Sequence, residues 1–412
     1  MKIALAPEGS RGDVFPMLDL GASLVSEGHA VVICAPPGFR SVTQERGLEF
    51  RSTGSDVHGF LAAHADALAR GGLRLARTAH RWLAEILDRE FESLPDATRD
   101  VDLVLGAGLQ LAGPSAAERR GVPYRFVLYC PALLPSGEHA PIPITAQSLP
   151  RWANRLGWAA TRVFYNRLLR QSLNRRRAQL GLAPVDDVFR YLVSERPILA
   201  VDSELAPAPR DFPIEVTQVG CLHAMVPTPL PEKLESFLES GPPPLYLGFG
   251  SMTDPEPDRT TRLVLEAISD LGCRALISEG WAGYGRVALP DNVQAVGSVS
   301  HAELFPRVSA VVHHGGAGTT TMAARSGVPQ LVVPHGADQF YWGERVRLLG
   351  LGPPPLPRRR LTRERLARLL AQMLDNEVLA ERARELGARL RSRVGPEAAE
   401  RDRRAILELR GA

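Results

Sequence analysis

The stretch His313-His314-Gly315-Gly316-Ala317-Gly318-Thr319-Thr320-Thr321 holds the densest set of groups able to do chemistry. An apolar run, Ala310-Val311-Val312, leads into it, and Thr321-Met322-Ala323-Ala324-Arg325 leads out with helical character. A strand, a glycine-rich turn and a helix start gather unpaired backbone N–H groups around an anion. The glycines let the backbone approach a ligand, the threonine hydroxyls add donors, and His314 can add another donor or a positive charge. A diphosphate suits such a loop. No Lys-Ser/Thr follows the glycines, so this is not a Walker loop, and a dinucleotide fingerprint would stand near the start of its domain.

Other loops follow short apolar strands in the same way. Gly9-Ser10-Arg11-Gly12-Asp13-Val14 comes directly after Ile3–Ala6. Asp13 there is either a helix N-cap or a group facing a ligand, and Ser10 is a turn residue or a ligand donor. In Gly248-Phe249-Gly250-Ser251-Met252, Ser251 can cap the next helix, face a phosphate, or do both. Asp338-Gln339 set a carboxylate beside a carboxamide, which suits vicinal hydroxyls and equally suits a loop opening a helix. His313 and His314, with His301 and His335 along the chain, invite a metal ion. Adjacent residues on an extended segment point to opposite faces, and no Cys or carboxylate completes a ligand set, so no metal is expected.

Elements must hold these loops in place. Ile3–Ala6, Ala30–Cys34, 102–106 and 124–128 are short apolar strands alternating with helical stretches, the pattern of βαβ units and a parallel sheet. A second series runs through 244–249, 275–278, 293–296, 310–313 and 330–333. Prolines at 207, 209, 227, 229 and 231 punctuate the chain between the two series. A chain of 412 residues suits two domains. Trp152, Trp158 and Phe164 sit in a long helical stretch and are read as broadly one side of it, either a core stripe or the lining of an apolar pocket.

Composition excludes several classes. The net charge of +3 is spread rather than segregated, so no nucleic-acid footprint appears. The clusters Arg175–Arg177 and Arg358–Arg360 are read as solvated faces, leaving at most weak peripheral membrane contact. Cys34, Cys130, Cys221 and Cys273 are scattered, which fits a reducing cytoplasm. No run reaches the roughly 18 apolar residues of a membrane span.

In their order along the chain, the loop at Gly9–Val14, Gly28-His29, the loop at Gly248–Met252, Gly280-Trp281 and the segment from His313 to Gln339 resemble family-1 glycosyltransferases. The likeness is to the bacterial natural-product and sterol glucosyltransferase branch. It covers nearly the whole chain and is thinnest over about residues 55–190, where such enzymes shape acceptor pockets. It implies an α/β fold of the GT-B type, with two Rossmann-like doubly wound parallel sheets facing across a cleft. The expected division is an acceptor domain at 1–215, a linker at 216–232, a nucleotide-sugar domain at 233–395, and a helix at 396–412 returning to the first domain.

The resemblance also implies function. A hexose, glucose in the first instance, would pass with inversion from a UDP or dTDP sugar to a hydroxyl of an apolar natural product, polyketide or sterol. No metal or other cofactor would be needed. Asp13 would be the general base, with Ser10 and Gly12 in the acceptor and phosphate loop. Ser251, His314, Gly316, Ala317, Gly318 and Thr319 would hold the diphosphate, and Asp338 and Gln339 the sugar. Trp281, Val299 and Ser300 fall in the nucleobase region. His58 and His139 would be the bases if Asp13 were only structural. A nucleotide-sugar epimerase or hydrolase and a non-catalytic nucleotide-sugar binder are the alternatives.

Overall fold

The computed structural model describes residues 1–56, 59, 73–222 and 228–408, without the side chains of 73–81. The first sheet contains β1 (Lys2–Glu8), β2 (Ala30–Ala35), β3 (Glu49–Ser52), β4 (Leu103–Gly108), β5 (Tyr124–Leu128), β6 (Ile198–Ala200) and β7 (Thr217–Val219). Its order is β3-β2-β1-β4-β5-β6-β7, with every pairing parallel. Around it lie α1 (Arg11–Ser26), α2 (Arg40–Glu45), α3 (Leu73–Ala97), α4 (Gly113–Arg120), α5 (Arg151–Gln179) and α6 (Val188–Val193). Both faces of the sheet are covered, which explains why its central strands read as unbroken apolar runs. Ile3 and Leu5 pack toward α1, while Ala4 and Ala6 pack toward α3.

The second sheet runs β10-β9-β8-β11-β12, also all parallel. Its strands are β8 (Leu245–Gly248), β9 (Ala275–Ser278), β10 (Val293–Val296), β11 (Ala310–His313) and β12 (Gln330–Val332). The associated helices are α7 (Glu232–Glu239), α8 (Pro257–Leu271), α9 (His301–Leu304), α10 (Ala317–Ser326), α11 (Gln339–Leu348), α12 (Arg363–Leu374) and α13 (Glu377–Ser392). In each sheet the strand order reverses beside the first strand, between β1 and β4 and between β8 and β11. Ligands of open parallel sheets bind beyond the carboxyl ends of the strands at such points, and the loops singled out from the sequence lie there.

The final helix, α14 (Pro396–Leu407), lies on the first sheet. Ile406 is fully buried in that sheet's core. The Arg125 guanidinium on β5 donates to the carbonyls of Ala405, Ile406 and Glu408 at 2.7, 2.8 and 3.3 Å. The two domains meet over an apolar cluster in which Phe126, Leu128 and Leu199 of the first join Tyr341, Trp342 and Leu386 of the second. A buried two-pronged ion pair, Arg325 Nε and Nη2 to Asp202 at 2.9 and 2.7 Å, spans the same junction.

Several expectations are corrected. β7 pairs with β6, so the first domain extends to Val219 and the connection to α7 is shorter than 216–232. The prolines mark only the later part of that connection. Trp152, Trp158 and Phe164 do not share a side of α5. Trp158 is buried, whereas Trp152 and Phe164 are 70% and 55% exposed. Steps of six residues advance a helix by about 240°, so three such residues divide the circumference rather than line one face. The arginine clusters are not merely solvated. Arg177 is buried against Glu118, Arg176 pairs with Asp88, and Arg358 pairs with Asp254. β3 and β7, four and three residues long, had no apolar run to announce them, whereas the apolar Ile198-Leu199-Ala200 of β6 was passed over.

Candidate active site

The loop after β1 is built on a capping box. Ser10, not Asp13, is the N-cap of α1, and Asp13 is its third helical residue. The Ser10 hydroxyl accepts from Gly12 N–H, while Asp13 Oδ2 accepts from Ser10 N–H at 2.8 Å. This reciprocal arrangement fixes the Asp13 side chain and leaves Oδ1 without a partner among the described residues. Gly9 adopts φ +152°, and a Cβ there would fall 2.1 Å from Asp13 Oδ2. Burial pushes the Asp13 carboxyl up to about 6, the Ser10 N–H opposes this, and the charge of Asp338 adds to it. The Asp338 carboxyl of the second domain is thus close enough for its charge to act on Asp13.

Asp338 also titrates near 6 because of burial, opposed by Trp342, whose Nε1 donates to Asp338 Oδ2 at 3.1 Å. Gln339 is buried, and its carboxamide oxygen accepts from His335 N–H and Gly336 N–H at 2.7 and 3.1 Å. Its amide points to Met252 Sδ at 3.1 Å. In this arrangement Gln339 closes the turn and ties it to the loop after β8, while Asp338 Oδ1 stays available.

The histidine–glycine loop is a strand end feeding a helix start. His313 is fully buried; its Nδ1 accepts from Gly315 N–H at 3.1 Å, so Nε2 carries the proton toward Gln330 Oε1 at 2.9 Å. It is a structural residue that shapes the turn. Gly315 takes φ +93°. No side chain caps α10 at Gly316, so the first-turn N–H groups of Ala317, Gly318 and Thr319 remain open. Thr320 turns inward, its hydroxyl donating to Gly316 O at 2.9 Å, so among the threonines Thr319 is placed to reach a ligand.

The His314 ring lies between Gly250 and Gly316; a Cβ on Gly316 would fall 2.4 Å from its Nε2. Burial, then the neighbouring His313 and His335, drive its pKa well down. His314 is therefore a neutral donor, not the positive charge the sequence also allowed. Its buried Nδ1 has no partner among the described residues.

Ser251 stands in the turn after β8, where Met252 N–H donates to Phe249 O at 3.1 Å. It does not cap α8, whose N-cap is Glu256. Trp281 N–H donates to Gly250 O at 3.0 Å, which stitches the 280–281 turn to the Ser251 loop. Ser300 is the N-cap of α9 and Val299 packs beside the second core. Among the described residues no group of three or more His, Cys, Asp or Glu is placed to hold a metal ion.

His58 lies outside the described residues. His139 is buried edge-on to Tyr341 and Trp158, at 5.5 and 6.1 Å between ring centres. Burial lowers its pKa to about 4. The sequence reading missed Glu8 and Glu90, buried acids at the same end of the first sheet, and Tyr129, whose hydroxyl donates to Asp13 O at 3.1 Å. Glu8 had a signal, being an acid at the last position of a strand otherwise apolar after Lys2.

Two parallel sheets with an uncapped helix start at the mouth of one and the Asp13 carboxylate at the mouth of the other form the two-domain GT-B architecture. Residues 3–132 match the glycosyltransferase family 28 N-terminal domain, and residues 262–403 match the erythromycin biosynthesis protein CIII-like C-terminal domain. The chain is 35% identical to glycosyltransferase GtfC of Amycolatopsis orientalis, over 99% of this chain and 100% of that protein. It is 34% identical to the vancomycin aglycone glucosyltransferase of the same organism, over 92% of each. It is 32% identical to an Arabidopsis thaliana sterol 3-beta-glucosyltransferase, over 92% of this chain and 64% of that one. The calicheamicin glycosyltransferase CalG4 superposes with a TM-score of 0.72 at 20% identity, covering 100% of this chain and 99% of the other. The chain belongs to the family-1 glycosyltransferases, in the branch of natural-product and sterol enzymes. No helix among the described residues is long and apolar enough to cross a membrane.

Proposed function

We propose that this glycosyltransferase moves a hexose, glucose first among candidates, from a UDP or dTDP sugar to a hydroxyl of an apolar small molecule, with inversion and without a metal ion. The Asp13 carboxylate, held by Ser10 through Oδ2 and with Oδ1 unpartnered among the described residues, carries this reading. The acceptor oxygen attacks the anomeric carbon as the bond from that carbon to the diphosphate oxygen breaks. The acceptor proton passes to Asp13 Oδ1, and the diphosphate leaves with the electron pair. Attack opposite the leaving group turns an α-linked donor into a β-glycoside. The open N–H groups of α10, the His314 donor and Ser251 would receive the negative charge developing on the diphosphate. Asp338 would hold sugar hydroxyls, and Trp281, Val299 and Ser300 would flank the nucleobase. The vancomycin aglycone and sterol glucosyltransferases among the relatives support glucose as the sugar, and the sterol enzyme supports an apolar acceptor. Structural neighbours crystallised with thymidine diphosphate keep dTDP sugars in view.

The test is a screen of UDP and dTDP sugars against polyketides, sterols and phenolics, with product detection by mass spectrometry. Consumption of donor with no dependence on acceptor would favour a nucleotide-sugar hydrolase or epimerase instead. Two further outcomes are expected. His314→Ala should weaken binding of the nucleoside diphosphate by roughly 10–150-fold in calorimetry, the worth of one hydrogen bond to a charged group, without a change in the fold. Unchanged affinity would remove His314 from the diphosphate site. EDTA should leave the wild-type rate unaltered, because donors and a helix terminus take the charge a metal would otherwise neutralise; strong inhibition would overturn the metal-free mechanism.

A further inference from the structure

The site leaves Trp152 and Phe164 without a role. Of the nine large apolar side chains exposed among the described residues, four stand on α5: Trp152 at 70%, Leu156 at 64%, and Val163 and Phe164 at 55% each. The other five are scattered through the chain, which is ordinary for a protein surface. At about 100° per residue, Trp152, Leu156 and Val163, with Arg167 and Arg170 further along, fall within an arc of about 60°. The buried Asn154, Trp158 and Thr161 lie on the opposite side of the helix. The arc is therefore the outermost line of α5, where a surface helix ordinarily carries its charges. From Trp152 to Val163 it runs about 16 Å.

Charge sets this helix apart as well. Its 29 residues include eight arginines and no acid. Five arginines meet acids of neighbouring segments. Arg151 and Arg155 reach Asp211 at 3.1 and 3.5 Å, and Arg162 pairs with Asp187. Arg176 reaches Asp88 at 2.7 Å and Arg177 reaches Glu118 at 2.8 Å. Arg167, Arg170 and Arg175 are exposed and have no ion pair among the described residues. Two of these three continue the apolar line.

We propose that this face of α5 lies on an anionic lipid bilayer. Trp152, Leu156 and Val163 enter the boundary between headgroups and acyl chains, and Arg167 and Arg170 meet lipid phosphates. Tryptophan is favoured at that boundary, leucine and valine add buried apolar area, and each arginine gains from the negative surface. The line is convex, so it offers no groove to a peptide, whereas a flat interface accepts it. A second copy docking by the same face would set arginines against arginines with no acid of α5 to receive them. The helix lies along the bilayer and does not cross it, since no helix among the described residues is apolar enough to span one.

The contact adjoins the junction of the two domains. Trp158 Nε1, on the inner side of α5, donates to His139 O at 3.2 Å, and the His139 ring meets Tyr341 of the second domain edge-on at 5.5 Å. The inference goes beyond the proposed transfer reaction and stands whichever acceptor is used.

The experiment measures sedimentation of the full chain with vesicles of equal parts phosphatidylglycerol and phosphatidylcholine, against vesicles of phosphatidylcholine alone. Binding to the anionic vesicles should be at least roughly tenfold tighter and should weaken as salt is raised. Arg167→Gln with Arg170→Gln should weaken it by roughly 25-fold, about fivefold for each arginine. Trp152→Ser with Leu156→Ser should weaken it by roughly tenfold or more. All four side chains are exposed, so both variants should melt as the wild type does. Trp152 emission, taken as wild type minus Trp152→Phe, should move to shorter wavelength when anionic vesicles are added. No binding to those vesicles would overturn the proposal and leave the face to an acidic protein surface. Wild-type binding in both double variants would overturn it too. A Trp152 emission already that of a buried ring in the free protein would show the line covered by another part of the chain or by a second copy, with the same consequence.

Discussion

Asp13→Asn should lower kcat by about 10²–10⁴-fold, the usual loss on removing a general base, while the protein still folds and binds nucleoside diphosphate. The asparagine oxygen can accept from Ser10 N–H as Asp13 Oδ2 does at 2.8 Å, so the capping box survives and only the proton acceptor is lost. The wild-type pH profile follows from the same group. Asp13 works ionised, and burial, reinforced by Asp338 and opposed by Ser10, lifts its pKa to about 6. Activity should therefore be constant above that pH with respect to this group and fall tenfold per unit below it. A raised pKa also makes Asp13 a better proton acceptor once ionised, at the cost of less of the ionised form near pH 6. Near-normal turnover of Asp13→Asn at saturating substrates would make Asp13 a cap alone. His139, buried and held near pKa 4, would then be a weak candidate for its replacement.

Most of the frame was legible because both sheets are parallel and covered on both faces. Such strands must be apolar throughout, so β1, β2, β4 and β5, and all five strands of the second sheet, declare themselves as short runs. β7, Thr217-Gln218-Val219, carries no apolar run, and the domain limit at Val219 was lost with it. In the site, glycines and chemistry-bearing residues were visible as types, but their partners were not. Nothing in the local sequence says that Gln339 spends its oxygen on His335 and Gly336, or that Ser10 rather than Asp13 caps α1. The acid pair of Glu8 and Glu90 comes from segments 82 positions apart in the chain numbering, and only the packing of α3 against β1 brings them together.

Arg125→Met should have the largest effect on stability away from the chemistry. Arg125 is 3% exposed on β5, and among the described residues no carboxylate is bonded to it. Its Nε donates to Arg196 O at 3.0 Å, one Nη to three carbonyls at the end of α14, and the other to Thr217 Oγ1. Carbonyls of a helix's last turn have no partner within the helix, so Arg125 satisfies groups that would otherwise be buried without one. Burial, and then Arg196, lower its pKa to about 10, which still leaves it charged at neutral pH. Methionine fills similar space but donates nothing, and stranding those carbonyls should cost about 2–4 kcal/mol. The loss should appear as a lower melting temperature and as faster protease cleavage in the turn before α14. Because that helix joins the second domain to the first sheet, domain closure should suffer as well, raising KM for both substrates more than it lowers kcat. Arg125→Lys keeps the charge without the planar fork and should recover only part of the difference. Melting and cleavage rates equal to wild type in Arg125→Met would mean that α14 is held by Ile406 and its apolar neighbours alone, with the arginine adding nothing to the joint.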